Sequence, residues 1–133
     1  SFSSCSKTIK LYFMSKKTLI LGATTNPSRY AYLTANKLVA HHHEIVLVGI
    51  KPGVVAGATI HTDLPTPTDI DTITLYLNPE RQKAYYDYLL SLHPKRIIFN
   101  PGTENDELTA LAQQNGIATE EACTLVLLSL NEY

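Results

Sequence analysis

The stretch Lys17-Thr-Leu-Ile-Leu-Gly-Ala-Thr-Thr-Asn-Pro-Ser-Arg29 decides the fold of this 133-residue chain. Residues 18–21 are all β-branched or aliphatic, which predicts a buried strand. Gly22 and Ala23 then remove side-chain bulk where the strand ends, a polar turn follows, and a helical pattern begins near Arg29. In α/β folds, a strand, a small-residue turn and a helix in this order bring backbone N–H groups to a bound phosphate. The stretch therefore predicts the class of ligand but not what is done with it.

Apolar runs of strand length alternate with helical patterns along the rest of the chain. The predicted strands lie at residues 18–21, 45–48, 71–76, 96–99 and 117–121. The predicted helices lie at 29–41, 78–92, 104–116 and 123–130, and a short extended piece at 59–61 follows a glycine-bearing loop at 49–57. This alternation predicts an α/β, Rossmann-like three-layer fold, an open parallel sheet of about five strands with helices on both faces.

Particular residues mark where the predicted helices begin. Pro79 lies near the first position of the helix at 78–92, where its missing N–H is harmless. Thr103 precedes an acidic first turn and is predicted to cap the helix at 104–116. The last apolar run, 123–130, fits a strand or a helix, and a closing helix is favoured.

Composition and charge exclude several classes of function. A chain with 44% hydrophobic and 17% charged residues is an ordinary globular domain, long enough to bury a core. The net charge of −1, without a basic block, argues against general nucleic-acid binding. No apolar run approaches the roughly 18 residues of a membrane span. Cys5 and Cys123 lie at opposite ends without metal-ligand spacing, so we expect no disulfide and a cytoplasmic location.

The first fourteen residues differ in character from the rest. They show no clean periodicity, and their apolar cluster at 11–14 is too short for the core of a signal peptide. Because Met14-Ser-Lys-Lys17 looks like a natural start, we expect an N-terminal extension at 1–14 and a single domain at 15–133. The alternative is an extra edge strand at 8–13.

Four segments rich in glycine, proline and asparagine are predicted to meet at one edge of the sheet. They are residues 22–29, 49–57, 77–80 and 100–105, and each follows a predicted strand. Open α/β sheets bind ligands beyond the carboxyl ends of their strands, so we expect these segments to form a pocket there. Loops collect these residue types in any protein, and it is the common location that carries the prediction.

Residues near two strand ends discriminate between nucleotides. The first turn has one glycine and lacks the G-x-G-x-x-G pattern of dinucleotide-binding domains. NAD binding also favours a carboxylate at the tip of the second strand, but this chain has Lys51 there, and Glu44 lies at the wrong end of the strand. A lysine suits a ribose phosphate, as in NADP or coenzyme A. Arg29 is predicted to make a bidentate phosphate contact.

The run Gly22-Ala-Thr-Thr-Asn-Pro-Ser-Arg29 resembles the Gly-Ala-Ser-x-x-x-x-Arg signature of small stand-alone CoA-binding proteins. These are similar to the N-terminal domain of the succinyl-CoA synthetase α subunit. Further matches follow in order from Lys16 onward, namely residues 48–52 with Gly57, Asp63-Leu-Pro65, Asn78-Pro79 and a lone cysteine, Cys123.

Three departures from the family pattern affect details of the pocket. Ala31 stands where the family often has serine, which removes a candidate hydroxyl donor. The family's Arg-Cys-Pro reads Ala122-Cys123-Thr124 here, so the cysteine lacks a cationic neighbour. The segment 119–121 is more polar than the usual last strand.

The resemblance implies that the chain binds coenzyme A or an acyl-CoA, a small-molecule nucleotide ligand, without a metal. It implies that the first turn and Arg29 hold the phosphates, that the loop at 49–57 lies along the adenosine with Lys51 as a contact, and that the loops at Asn78 and 100–103 border the pantetheine arm. The implied ligand-binding residues are Gly22, Ala23, Thr24, Thr25, Asn26, Ser28, Arg29, Lys51, Pro52, Gly57, Asn78, Asn100 and Gly102.

No catalytic constellation is recognisable in the sequence. Adjacent histidines at 41–43 point in different directions on a helix, and we expect them to form its last turn rather than a metal site. His61 and His93 are isolated, and Cys123 lies in an apolar run typical of a buried small hydrophobe. We therefore expect a binding module, such as a sensor or carrier, rather than an enzyme.

Two other functions stay open, and so does the oligomeric state. One is a small NADP-dependent or other nucleotide-using enzyme, and the other is a CoA-binding subunit of a ligase-like complex. Tyr85, Tyr86 and Tyr88 could support a homodimer, since aromatic residues are frequent at interfaces, or could equally pack on the sheet.

Overall fold

Seven strands form one sheet in the part of the chain that the computed structural model describes, residues 16–130 and 132–133. The strands are β1 (Thr18–Leu21), β2 (Ile45–Val48), β3 (Gly53–Val55), β4 (Ala58–His61), β5 (Thr72–Leu75), β6 (Arg96–Phe99) and β7 (Ala118–Glu121). The helices are α1 (Tyr30–Ala40), α2 (Pro79–Gln82), α3 (Tyr86–Ser91), α4 (Asp106–Gln114) and α5 (Thr124–Ser129), with a 3-10 turn at Lys83–Tyr85. No helix in these residues is long and apolar enough to cross a bilayer. The expected extension at 1–14 and the alternative strand at 8–13 lie outside the described residues.

The sheet has the order β3-β4-β2-β1-β5-β6-β7, and of the strands in the described residues only β3 and β4 pair antiparallel. The predicted α/β three-layer fold is confirmed, with all five predicted strands. The count of about five is wrong, because residues 53–61 add a hairpin where a loop and a short extended piece were expected. Ala56 and Gly57 have φ of 54° and 80°, the left-handed backbone that a two-residue hairpin turn needs.

Helices cover both faces because successive residues of each strand point to opposite sides. On one face, Leu19, Leu21, Ile73, Leu75, Ile97 and Phe99 pack with Leu89, Leu108 and Ala112 of α3 and α4. On the other, Ile20, Leu47 and Ile60 pack with Ala31, Ala35 and Leu38 of α1 and Leu128 of α5. All of these side chains are buried.

The strand order reverses at β1, and this reversal opens a crevice. The chain passes from β1 to β2 on one side and later returns to β5 on the other. The helix that follows β1 packs on one face of the sheet, whereas α3, which follows β5, packs on the opposite face. The segments leaving β1 and β5 therefore diverge, and the crevice lies beyond the carboxyl ends of these strands.

Two predicted helix details differ in the structure. Asn105, not Thr103, caps α4, because its Oδ1 accepts hydrogen bonds from the N–H groups of Glu107 at 3.0 Å and Leu108 at 3.3 Å. The Thr103 hydroxyl instead donates to the carbonyl of Asn100 at 2.7 Å. The helix predicted at 78–92 is divided into α2 and α3 by the 3-10 turn.

Three further sequence predictions concern the closing helix, the last strand and the run of histidines. The closing helix over the last apolar run is confirmed as α5. The polar segment 119–121 belongs to β7, which lies at the edge of the sheet, where half-exposed side chains are tolerated. The histidines at 41–43 follow α1 rather than forming its last turn, since the helix ends at Ala40 and His42 has φ of 66°.

Candidate functional site

A cavity of about 690 Å³ occupies the crevice at the carboxyl edge of the sheet. Each of the four segments predicted to meet there contributes to its wall. The lining residues are Leu21, Gly22, Ala23, Thr24, Thr25, Asn26, Arg29, Tyr30, Ala31, Val48, Gly49, Ile50, Lys51, Tyr76, Leu77, Asn78, Arg81, Tyr85, Pro101, Gly102 and Thr103.

Gly22 and Ala23 begin the turn after β1 by bonding to the neighbouring strand. Both N–H groups donate to the carbonyl of Val48 at 2.9 Å. Gly22 has φ of 99°, and a Cβ there would lie 3.1 Å from Cδ2 of Leu77, so only glycine fits without strain. These two residues therefore shape the cavity, while their N–H groups are already engaged.

The next part of the turn presents donors that the protein leaves open. The N–H groups of Thr24 and Thr25 have no hydrogen-bond partner among the described residues. Asn26 organises the remainder: its Oδ1 accepts from both the N–H and the hydroxyl of Ser28, at 3.0 and 2.7 Å. Open backbone donors before a helix are the usual way to hold a phosphate.

The start of α1 adds to this favourable electrostatic environment. Arg29 is the residue before the first turn of the helix, and its side chain makes no capping hydrogen bond. The first turn contains no acidic residue. The partial positive charge at the N-terminus of α1 is therefore available to an anion in the cavity.

Close backbone packing joins the second loop to the first turn. A Cβ on Gly49 would lie 2.4 Å from the carbonyl oxygen of Ala23, so a larger residue would push the two segments apart. A Cβ on Gly53 would likewise lie 2.4 Å from Cγ2 of Thr25. The β3–β4 hairpin, which the sequence did not predict, therefore packs against the turn after β1 and supports it.

Among the described residues, three exposed cations line the cavity, and no acidic residue does. They are Arg29 after β1, Lys51 after β2 and Arg81 on α2. None of the three forms an ion pair within the described residues. The remaining arginine, Arg96, bonds to Glu120 at 3.2 Å. An unbalanced cationic wall favours a ligand with several negative charges.

Several lining residues were not among the sequence predictions. Arg81 was missed because its helical position gives no signal, although it lies three residues after the predicted Asn78. Asn78 accepts from the N–H of Arg81 at 2.9 Å and caps α2. Tyr30 and Ile50, 69% and 68% exposed, flank the cavity and offer apolar surface to a ring.

Tyr76 lines the cavity, and its hydroxyl is turned to a fully buried partner on α1. It shares a hydrogen bond with the hydroxyl of Thr34 on α1. Burial raises the pKa of Tyr76, so its hydroxyl is neutral at ordinary pH and acts as a hydrogen-bonding group.

Four predicted ligand-binding residues do not line the cavity. Ser28 and Pro52 lie beside it, and Gly57 forms the hairpin turn. Asn100 is buried, where its amide donates to Thr74 Oγ1 and to the carbonyl of Leu75, and its Oδ1 accepts from the N–H of Thr124. Asn100 therefore holds the sheet edge together beneath the cavity.

The histidines and the cysteine lie outside the cavity. His43 is at the opposite edge of the sheet, where its Nδ1 accepts from the N–H of Lys16 at 2.9 Å and burial lowers its pKa to about 4. Cys123 is half-buried at the entrance to α5. Within residues 16–130 and 132–133, no three His, Cys, Asp or Glu side chains could hold a metal ion together.

The three tyrosines considered for a dimer make contacts inside the chain. Tyr85 lines the cavity, the Tyr86 hydroxyl accepts from Asn105 at 2.8 Å, and the buried Tyr88 donates to the carbonyl of Pro65 at 2.5 Å. Packing on the fold, the second alternative, therefore accounts for their positions. A homodimer stays a prediction, and the positions of these tyrosines do not add support for it.

Solved structures share the fold. The chain is 53% identical to an uncharacterized protein, with a TM-score of 0.88 over 90% of this chain and 98% of that one. A protein from Thermus thermophilus is 19% identical, with a TM-score of 0.77 over 96% and 98% of the two chains. A hypothetical protein from Pyrococcus horikoshii OT3 is 22% identical, with a TM-score of 0.77 over 91% and 87%.

The sequence also matches a family model. No curated protein matches the chain significantly. The model described as "CoA binding domain" matches residues 16–129, which include every residue that lines the cavity. The resemblance drawn from the first turn is thereby confirmed, and membership of this family supports the binding of coenzyme A. The chain belongs to the CoA-binding domain family.

Proposed function

We propose that this protein binds coenzyme A or an acyl-CoA in the cavity at the carboxyl edge of its sheet, as a sensor or carrier and not as a catalyst. The observation that carries the proposal is the set of three cations, Arg29, Lys51 and Arg81, on a wall whose described residues include no acidic side chain. Coenzyme A carries three phosphate groups, and unpaired cations are the natural partners of such groups.

The positions of the charges fit the order of groups in the ligand. Lys51 follows β2 and would meet the phosphate on the ribose. Arg29 and the open N–H groups of Thr24 and Thr25 follow β1 and would hold the pyrophosphate. Arg81 would approach the pyrophosphate from the β5 side. The uncharged end of the cavity, beyond β6, would receive the pantetheine arm.

The lining of the cavity supports a role in binding alone. Its described residues include no His, Cys, Asp or Glu, the usual sources of a general base or a nucleophile. The hydroxyl of Tyr76 is engaged with Thr34. A thioester placed in the cavity would therefore meet hydrogen-bonding groups but no adjacent base.

A competing function is suggested by one of the same residues. Lys51 would suit the 2′-phosphate of NADP as well as the 3′-phosphate of coenzyme A, which keeps a small NADP-dependent enzyme as the second candidate. A subunit of a ligase-like complex would bind CoA in the same way and would differ by copurifying with a partner.

Isothermal titration calorimetry of the purified protein separates these functions. We expect CoA to bind, and 3′-dephospho-CoA to bind about tenfold more weakly, because it lacks the charge that Lys51 would contact. We expect NADPH to bind more weakly than either. Absence of heat and of a thermal shift with CoA would overturn the proposal, and NADPH binding with hydride transfer would establish the competing function.

A further inference from the structure

Gln82 is a fully buried glutamine whose amide joins two loops of the cavity wall. Its Nε2 donates to the carbonyl of Leu77 and to the carbonyl of Thr103, each at 2.8 Å. Leu77 lies in the loop after β5, and Thr103 lies in the loop after β6. One side chain therefore spans the two loops at the point where both line the cavity.

Asn105 holds the amide of Gln82 in place from the start of α4. Its Nδ2 donates to Oε1 of Gln82 at 3.0 Å and to the hydroxyl of Tyr86 at 2.8 Å. Its Oδ1 at the same time caps α4. No buried side-chain nitrogen or oxygen in the described residues lacks a partner, so this network is complete.

The hydrogen-bond network of Gln82 and Asn105 lies behind one wall of the cavity, where it can support the binding of one half of a ligand. The wall that it joins consists of Leu77, Asn78, Arg81 and Tyr85 on the β5 side and residues 101–103 on the β6 side. Arg81 is the one charged residue among those of the described chain that form this wall. The other two cations, Lys51 and Arg29, lie after β2 and β1, toward the other end of the cavity.

We propose that Gln82 and Asn105 are positioning residues that hold this wall in place for the phosphopantetheine half of coenzyme A, that is, the pantetheine arm and the phosphate that bears it. The inference rests on the proposed function. A buried amide with three well-made hydrogen bonds is costly to disturb, because each partner would be left unpaired in a dry environment. The two loops therefore keep a fixed separation before the ligand arrives, and the ligand does not have to order them.

Two variants break the network in different ways. Gln82→Met keeps the approximate size and removes the donor to both carbonyls. Asn105→Ser removes the Nδ2 donor and keeps an oxygen that can cap α4. Thr18→Val is the matched control, since Thr18 is equally buried and hydrogen-bonded but lies at the opposite edge of the sheet.

The test compares CoA with adenosine 3′,5′-bisphosphate, which lacks the pantetheine arm and the phosphate that bears it, by calorimetry well below each variant's unfolding temperature. We expect Gln82→Met and Asn105→Ser to weaken CoA about tenfold while changing the affinity for the bisphosphate less than about twofold. The control should lower thermal stability without changing the ratio of the two affinities.

The outcomes are distinct from those that test the proposed function. If the unaltered protein does not bind CoA, the proposed function fails. If it binds CoA and the two variants leave the ratio of affinities unchanged, or weaken both ligands equally, the positioning role is wrong. If Gln82→Met does not fold, Asn105→Ser decides the question alone.

Discussion

Arg81 and Lys83 lie two residues apart after β5, and only Arg81 lines the cavity. The Nζ atom of Lys83 lies 3.8 Å from Oε1 of Glu80 on the exposed surface. The pair separates the effect of a cation in the cavity from the effect of a cation near it, because removing either one changes the net charge of the protein equally.

We expect Arg81→Gln to weaken CoA about tenfold, as the loss of one charge-assisted hydrogen bond to a phosphate would. Lys83→Gln should weaken it less than about twofold. Calorimetry at two salt concentrations provides the measurement, and the salt dependence should become less steep only in Arg81→Gln. Equal effects of the two substitutions would show that Arg81 acts only through the general field.

At the scale of elements, the two residues in the turn of the β3–β4 hairpin differ in how well they tolerate a positive φ. Gly57 adopts φ of 80° freely, whereas Ala56 at 54° carries the penalty of an L side chain in the left-handed region. A Cβ at Gly57 would have no atom within 4 Å, so any effect of a substitution there is conformational rather than steric.

We expect Ala56→Asn to stabilise the protein by about 0.5 kcal/mol, since asparagine tolerates this conformation and favours such turns. Gly57→Ala should destabilise it by about 1 kcal/mol. Urea denaturation of the two variants measures both changes in the free energy of unfolding. A stabilising Gly57→Ala would contradict the assignment of the turn.

The same hairpin shows what the sequence could and could not predict. Four of the five predicted strands and the closing helix were predictable because each contains a run of apolar or β-branched residues, and the polar strand at 117–121 was predictable from its place after a helix. Gly53–Val55 is only three residues long, and Ala56-Gly57 lacks the Asn-Gly or Asp-Gly pattern of a strong turn signal. Thr103 and Asn105 are both good capping types two residues apart, and only the hydrogen bonds decide between them.

The candidate site was predictable to a similar extent. Gly22, Arg29 and Lys51 belong to segments that connect the carboxyl ends of strands to the next elements, so topology alone places them at one edge. Arg81 and Gln82 lie within a helix, where no sequence rule tells which side chains meet another loop. Asn100 looked like a ligand contact and is instead a buried link between strands, because a loop asparagine can serve either purpose.

On the scale of the whole molecule, the two edges of the sheet carry different chemistry. The carboxyl edge holds the cavity. The amino edge holds His43, whose ring packs edge-on against Tyr133 at 5.0 Å between centroids. Burial, followed by the charges of His41 and Lys16, lowers the pKa of His43 to about 4, whereas Asp71 opposes the shift.

This depressed pKa makes stability depend on pH in a defined window. The unfolded chain protonates His43 near its ordinary pKa of 6.5, but the folded chain does so only near 4, so the unfolded state binds more protons between these values. Stability is therefore complete above the ordinary pKa and falls as the pH drops toward 4. Because the ring is partly exposed and solvent screens it, we expect a loss of only about 1 kcal/mol between about pH 7 and about pH 5.

The variant His43→Asn isolates this contribution, since its Oδ1 can still accept from the N–H of Lys16 but cannot titrate. We expect its free energy of unfolding, measured in urea, to lose about 1 kcal/mol less than that of the unaltered protein between about pH 7 and about pH 5. CoA affinity at about pH 7 should be the same in both proteins, because the substitution lies across the sheet from the cavity. An identical loss of stability in the two proteins would show that His43 does not carry the pH dependence. A changed affinity would show instead that the two edges of the sheet are coupled.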